Sequence, residues 1–331
     1  MTDKPTILVF IPDPIFAKVI SPESLRTLAG FAEVRRAKDW ADMDDTQLQA
    51  LFEGVDGVLT SWGVHPFPSK AFLECPTVKI LSHAAGGVRW APRAALEKGV
   101  VFTNASRAMA PQLAELCLTF ALMGIHNVLE LVQPDRVVNS VKPFRRAKLR
   151  GKRVGLVGFG WIARSFVEFL KPFDVDVLAY DPYVPDEVMH GYGVTPAALH
   201  DIFTRSDIVS IHAGLTDESR KMIGADLLSK LKDSSVFINT SRGPVVDHDA
   251  LIEELRKKRF IAFLDVTDPE PLPEGHELFS MSNVILSYHR AASRDEPGYE
   301  VGNAAVGELK RFFSGEPLVH EVKLEWYDRM T

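Results

Sequence analysis

Short apolar runs recur along the chain and are separated by stretches of helical periodicity. Ile7–Ile11, Gly57–Thr60, Val78–Leu81 and Val100–Phe102 form a first series of strand-length segments. A second series comprises Arg153–Val157, Val175–Tyr180, Ile208–His212, Val236–Asn239, Ile261–Asp265 and Val284–Ser287, with helix-compatible stretches between most of them. Strands alternating with helices predict α/β units, and the six strands of the second series suggest a doubly wound parallel sheet. The apolar stretch Leu113–Ile125, interrupted by Glu115, predicts a buried helix with Pro111 in its first turn. It falls short of the roughly 18 residues that a bilayer span requires. A last helical pattern, about Tyr299 to Phe313, stops at Ser314-Gly315-Glu316-Pro317, and the short tail beyond it is expected to pack back onto the first unit.

Composition narrows the classes. A chain of 331 residues corresponds to about two units of about 150 each. Hydrophobic residues at 46%, charged residues at 25% and a mean hydropathy of −0.00 exclude a largely disordered or fibrous chain. A net charge of −6 and a pI near 6.0 give no global attraction for nucleic acid or an anionic membrane. The basic stretch Lys142–Arg153 carries seven cations and no acid, but it has one aromatic residue and runs directly into a strand, so it reads as a solvated linker face. Cys75 and Cys117 lack disulfide-framework or zinc-ligand spacing, so no metal is expected. The apolar start, Ile7–Ile11, is too short for a signal segment. A cytoplasmic setting is expected.

The chemistry concentrates at strand ends. Gly158-Phe159-Gly160-Trp161-Ile162-Ala163 follows the strand Val154–Val157 and opens a helical pattern. Gly158 permits a tight turn, Gly160 lets backbone approach a pyrophosphate, and small Ala163 lets helix pack on strand. The next strand ends at Asp181, 23 residues after Gly158, where a carboxylate accepts hydrogen bonds from ribose hydroxyls and repels a 2′-phosphate. NAD is therefore preferred over NADP. Arg242, Glu270 and His289 also lie at or just beyond strand C-terminal ends, the edge where open α/β sheets bind ligands. A guanidinium there holds a substrate carboxylate in two parallel hydrogen bonds. An imidazole there exchanges a proton with a carbonyl or alcohol oxygen. Glu270, in the proline-stiffened loop Pro269-Glu270-Pro271, can stand beside that imidazole and favour its protonated form. Taken singly, each also fits a plainer role: a surface ion pair, a solvated turn residue, a structural histidine.

In family order and approximate spacing, Lys148–Gly160, Asn239-Thr240-Ser241-Arg242-Gly243-Pro244, Leu264-Asp265-Val266, Pro269-Glu270-Pro271 and His289 resemble the D-2-hydroxyacid dehydrogenase family over nearly the whole chain. The resemblance implies an α/β protein of two doubly wound parallel-sheet domains. A Rossmann NAD-binding domain, residues 107–295, is inserted into a flavodoxin-like substrate domain, residues 1–106 and 296–331. It further implies catalytic Arg242, Glu270 and His289, with Trp161 and Ile162 amides on the pyrophosphate, Thr240 among the cofactor contacts and Asp265 near the nicotinamide. Backbone N–H groups of Ala85, Gly86 and Gly87 would meet the carboxylate of a 2-oxo or 2-hydroxy acid, with Trp62 approaching the substrate. A homodimer through the helix after Pro111 is implied too. Ser287-Tyr288 stands where Thr-Pro is usual, and Arg290, Val88 and Gly214 also depart from the family pattern, which leaves the acid unidentified. The other reading is an NAD(H)-sensing, corepressor-like binding protein with little turnover.

Overall fold

A computed structural model of the chain describes residues 4–131, 147–292 and 298–330. They form two compact units, Met1–Met109 with Arg294–Thr331, and Ala110–Ser293. The sequence places the first boundary between 106 and 107, the structure between 109 and 110. The second expected boundary, at 295/296, lies outside the described residues, as do residues 142–146 of the basic stretch.

In the first unit, β1 (Thr6–Phe10), β2 (Glu33–Arg36), β3 (Gly57–Thr60), β4 (Ile80–His83) and β5 (Val101–Asn104) pair in parallel in the order β2-β1-β3-β4-β5. This is the flavodoxin-like order, with its reversal between β1 and β3. The C-terminal tail returns to this sheet, where Glu321–Val322 pairs antiparallel with β5. Phe10, Phe52, Phe67, Phe72 and Trp40 make an aromatic core on one face. On the other face lies the helix Tyr299–Ser314, ended by left-handed Gly315. Close approach there depends on Gly302, since a Cβ on it would sit 1.8 Å from the Val19 carbonyl oxygen.

In the second unit, β6 (Arg153–Val157), β7 (Asp176–Tyr180), β8 (Thr195–Pro196), β9 (Ile208–Ile211), β10 (Val236–Asn239), β11 (Ile261–Leu264) and β12 (Val284–Leu286) form an all-parallel sheet in the order β8-β7-β6-β9-β10-β11-β12. This Rossmann arrangement reverses direction between β6 and β9, and ligands bind outside strand C-termini at such a point. The two-residue strand β8 adds a seventh member to the six that the apolar runs predict.

The helix after β5 corrects one expectation. It runs Ser106–Ile125, so Pro111 is inside it and not in its first turn. The start is set by Asn104, whose side-chain oxygen accepts from the Ser106 N–H at 3.1 Å. Proline removes one helical donor, and burial of the following face offsets that loss. Phe120 stacks on Phe263 at 4.9 Å between ring centroids, and Gly124 lies so close to Val236 that a Cβ would come within 2.5 Å. By length and composition this helix is apolar enough to cross a bilayer, but half of it is buried within the protein, and its Leu113–Ile125 part packs as a core helix.

Candidate active site

The turn after β6 has the geometry that its glycines predict. Gly158 is left-handed, at φ +92, and a Cβ on it would lie 2.7 Å from the Ala213 nitrogen, so the turn is wedged against the end of β9. Gly160 caps the ten-residue helix Trp161–Leu170 and has no heavy atom within 4 Å of an ideal Cβ. That open space beside the first-turn N–H groups suits an anion. Ala163, fully buried, lies beneath. The Asp181 carboxylate accepts the Phe159 N–H at 2.8 Å through Oδ2 and the Tyr183 N–H at 2.9 Å through Oδ1, which ties the end of β7 to the glycine turn. Arg164 donates to the Phe159 carbonyl at 3.1 Å and stands 4.9 Å from the centre of the exposed Trp161 ring. Glycine turn, helix start and strand-end carboxylate together fit a dinucleotide. Behind them His212 is half-buried with both ring nitrogens shielded from solvent, and desolvation lowers its pKa to about 4.

Arg242, Glu270 and His289 follow the C-terminal ends of the adjacent strands β10, β11 and β12. Asn239 organises the first loop: its Oδ1 accepts from the Ser241 N–H at 3.1 Å, and its amide donates to the Arg242 carbonyl at 3.2 Å. Arg242 is part-buried, and desolvation lowers its pKa against the opposing attraction of Glu270. It remains a cation at any ordinary pH. The next residue, Gly243, brings the first loop onto the second, because a Cβ there would lie 1.9 Å from the Thr267 carbonyl oxygen. Glu270 Oε1 pairs with His289 Nδ1, both side chains being partly exposed. That pairing leaves Nε2 as the ring nitrogen free for a ligand. The Thr240 hydroxyl meets the buried Cys117 sulfur at 3.3 Å, and burial pushes that thiol up to about 11. Among the described residues, no cluster of His, Cys, Asp and Glu has metal-binding geometry.

Sequence reasoning missed the part played by Gly243, and of Asp265, which it places near the nicotinamide, it missed the contacts with the loop that bears His289. Gly243 acts by close backbone approach, for which Gly-Pro after an arginine is the only local signal. Asp265 is buried, at 2% exposure, and its Oδ1 accepts from Ser287 Oγ at 2.7 Å, the Arg290 N–H at 2.8 Å and the Ala291 N–H at 3.1 Å. Its side chain therefore grips the loop that carries His289.

In the first unit, Ala85, Gly86 and Gly87 follow β4. The Ala85 carbonyl accepts from the Ala105 N–H at 2.8 Å, and a Cβ on Gly86 would meet only the Ser106 hydroxyl, at 3.9 Å. Trp90 donates to the Gly87 carbonyl at 3.0 Å and stands edge-on to His83 and His65. His83 accepts or donates at 2.9 Å to the Thr60 hydroxyl, and burial, reinforced by His65, lowers its pKa to about 3. Trp62, just after β3, is exposed at 39%.

Comparison with known proteins follows the same division. Residues 116–291 match the model for the D-isomer specific 2-hydroxyacid dehydrogenase NAD binding domain. A glyoxylate reductase of Thermofilum pendens is 32% identical over 293 residues, covering 86% of this chain and 85% of that protein. A D-3-phosphoglycerate dehydrogenase of Methanocaldococcus jannaschii is 31% identical over 72% of this chain and 46% of its own length, so the chain spans about half of that relative. The crystal structure of an NADPH-dependent glyoxylate/hydroxypyruvate reductase from Sinorhizobium meliloti superposes with a TM-score of 0.73 at 26% identity, covering 97% of this chain and 98% of that one. With the glycine turn, the strand-end carboxylate and the paired Glu270 and His289 all inside the matched segment, the chain belongs to the D-isomer specific 2-hydroxyacid dehydrogenase family.

Proposed function

We propose that this chain is an NAD(H)-dependent oxidoreductase that interconverts a 2-oxo acid and the corresponding D-2-hydroxy acid. The observation that carries the reading is the Glu270–His289 pair beside Arg242 at one sheet edge. Arg242 binds the substrate carboxylate by its planar fork, and its partial desolvation strengthens that attraction. His289 Nε2, protonated, gives its proton to the carbonyl oxygen as an alkoxide develops there, and Glu270 stabilises the imidazolium before transfer. In the oxidative direction the neutral imidazole takes the hydroxyl proton. The nicotinamide, when bound, supplies or accepts the hydride.

Gly158, Gly160 and the amides of Trp161 and Ile162 are assigned to the pyrophosphate, and Asp181 to the adenosine ribose, which favours NAD over NADP. The amides of Ala85, Gly86 and Gly87 are assigned to the substrate carboxylate, and Trp62 to its side chain. The glyoxylate, hydroxypyruvate and phosphoglycerate named for the relatives are the first acids to try. A cytoplasmic homodimer belongs to the same proposal, and gel filtration tests its size.

The decisive experiment is NADH oxidation with glyoxylate, hydroxypyruvate, phosphohydroxypyruvate, pyruvate and bulkier 2-oxo acids, repeated with His289→Gln. Turnover of at least one acid that is lost in the variant, with NADH binding retained, is expected. NADH binding without turnover of any acid overturns the catalytic reading and leaves a cofactor-sensing protein.

A further inference from the structure

Two adjacent glycines, Gly86 and Gly87, are assigned to the substrate carboxylate, and glycine is the residue whose backbone loses most freedom on being ordered. Whatever orders the pair is therefore part of the binding site. Among the described residues, no backbone carbonyl accepts the N–H of either glycine. The peptide groups on both sides of the Gly86–Gly87 link are nevertheless fixed. On one side the Ala85 carbonyl accepts the Ala105 N–H at 2.8 Å, and the planar trans peptide turns the Gly86 N–H the opposite way. On the other side the Gly87 carbonyl accepts the Trp90 indole N–H at 3.0 Å. The first restraint comes from backbone at the end of β5. The second depends on one side chain.

Trp90 is itself held. Its ring stands edge-on to His65, Phe67 and His83, with centroids 5.7, 5.0 and 5.0 Å away, an arrangement that aromatic quadrupoles favour. The Tyr327 hydroxyl, from the C-terminal tail, donates to the Arg89 carbonyl at 3.0 Å or to the Ala91 carbonyl, one residue to either side of Trp90. With three rings around it and its backbone anchored, the indole has little freedom to leave the Gly87 carbonyl.

We propose that Trp90 is a positioning residue for the substrate carboxylate: its indole N–H holds the Gly87 carbonyl and so keeps the Gly86 and Gly87 N–H groups in place before the acid arrives. Binding then need not order a glycine pair, and affinity for the acid is higher for that reason. The inference rests on the assignment of this loop to the carboxylate made above.

The test compares Trp90→Phe, which keeps an aromatic ring and removes the donor, with Phe67→Leu, which thins the same ring cluster and leaves the donor. For each, kcat and KM are measured with the best acid of the panel, together with Tm, the Kd of NADH, and the Kd of oxamate, an unreactive carboxylate shaped like pyruvate, by calorimetric titration of the NADH-loaded protein. Trp90→Phe is expected to raise KM and the oxamate Kd together by about tenfold, near the upper end of what one net hydrogen bond is worth. Its kcat and NADH Kd should stay within about threefold, because binding lost equally from ground and transition states appears in KM. Phe67→Leu is expected to lower Tm by several degrees while KM and the oxamate Kd stay within about threefold. Should Trp90→Phe not fold, Tyr327→Phe, which frees the backbone on either side of Trp90, is expected to raise both constants about fivefold.

Unchanged KM and oxamate Kd in Trp90→Phe, or in Tyr327→Phe where that variant stands in, overturn the inference, as does a fall in kcat at constant KM. An equal rise in Phe67→Leu also overturns it, by making packing of the rings and not the indole donor responsible. No turnover of any acid by the parent protein removes the catalytic reading instead, and the oxamate titration still decides: weakened binding in Trp90→Phe upholds the role of the indole, whereas equal or absent binding ends it.

Discussion

Replacing Gly243 by alanine tests whether the loops bearing Arg242 and Glu270 must touch. The added Cβ would lie 1.9 Å from the Thr267 carbonyl oxygen and 2.2 Å from its carbon. Both are backbone atoms, so no side-chain rotation relieves the overlap. Opening the contact from 1.9 Å to the 3.0 Å below which real Cβ atoms essentially never come moves the loops apart by about 1.1 Å. Overpacking of this kind costs about 1–3 kcal/mol, and in a unit of this size each kcal/mol lowers Tm by about 2–4 °C. Arg242 adjoins the contact on one side, and Glu270 lies three residues beyond Thr267 on the other. A displacement near 1 Å between a carboxylate-binding group and the acid–base pair should lower kcat/KM on the order of 100-fold, about 2.7 kcal/mol of transition-state stabilisation. Steady-state NADH oxidation with the best acid of the panel, a melting scan and an NADH titration measure the three effects. A variant that melts with the parent and keeps kcat/KM within threefold would refute the claim that this backbone contact sets the site.

The glycine turn predicts a separation of effects: Gly160→Ala should leave Tm within about 1 °C while weakening NADH binding at least tenfold, because its Cβ meets nothing in the protein and would occupy the anion space. Gly158→Ala should destabilise the second unit, since φ +92 and a 2.7 Å approach to the Ala213 nitrogen leave no room for a methyl, and thermal melting measures it. Asp181→Ala should raise kcat/KM with NADPH relative to NADH, and an unchanged ratio would end its role in cofactor choice. Burial lowers the His83 pKa from 6.5 to about 3, so the unfolded chain binds a proton that the fold excludes. Stability from this residue is therefore full above about pH 6.5 and is lost as pH falls towards 3, by up to roughly 5 kcal/mol. His83→Gln should flatten that acid limb in urea melts taken across the window.

The interior of both sheets was legible because central parallel strands are buried on both faces and read as continuous apolar runs. The strands that went unread are all at edges. Glu33–Arg36 alternates exposed and half-buried positions, and Thr195–Pro196 and Glu321–Val322 have two residues each. Short or charged edges discourage pairing with other chains, and the same property hides them from a search for apolar runs. Pro111 misled for a related reason: proline is read as a helix start, whereas Asn104 and the packing of Phe120 and Gly124 fix the actual helix. Arg242, Glu270 and His289 were found because each follows a recognisable strand. The Gly243–Thr267 approach and the Asp265 clamp join segments more than twenty residues apart and leave no periodic trace.

All three groups assigned to proton and charge handling are mounted on neighbouring strands of one sheet, while the segments around Trp62 and Trp90 belong to the other. Because β10, β11 and β12 are hydrogen-bonded side by side, the spacing of the three groups is set by strand register, and a slip of one strand would detune all of them together.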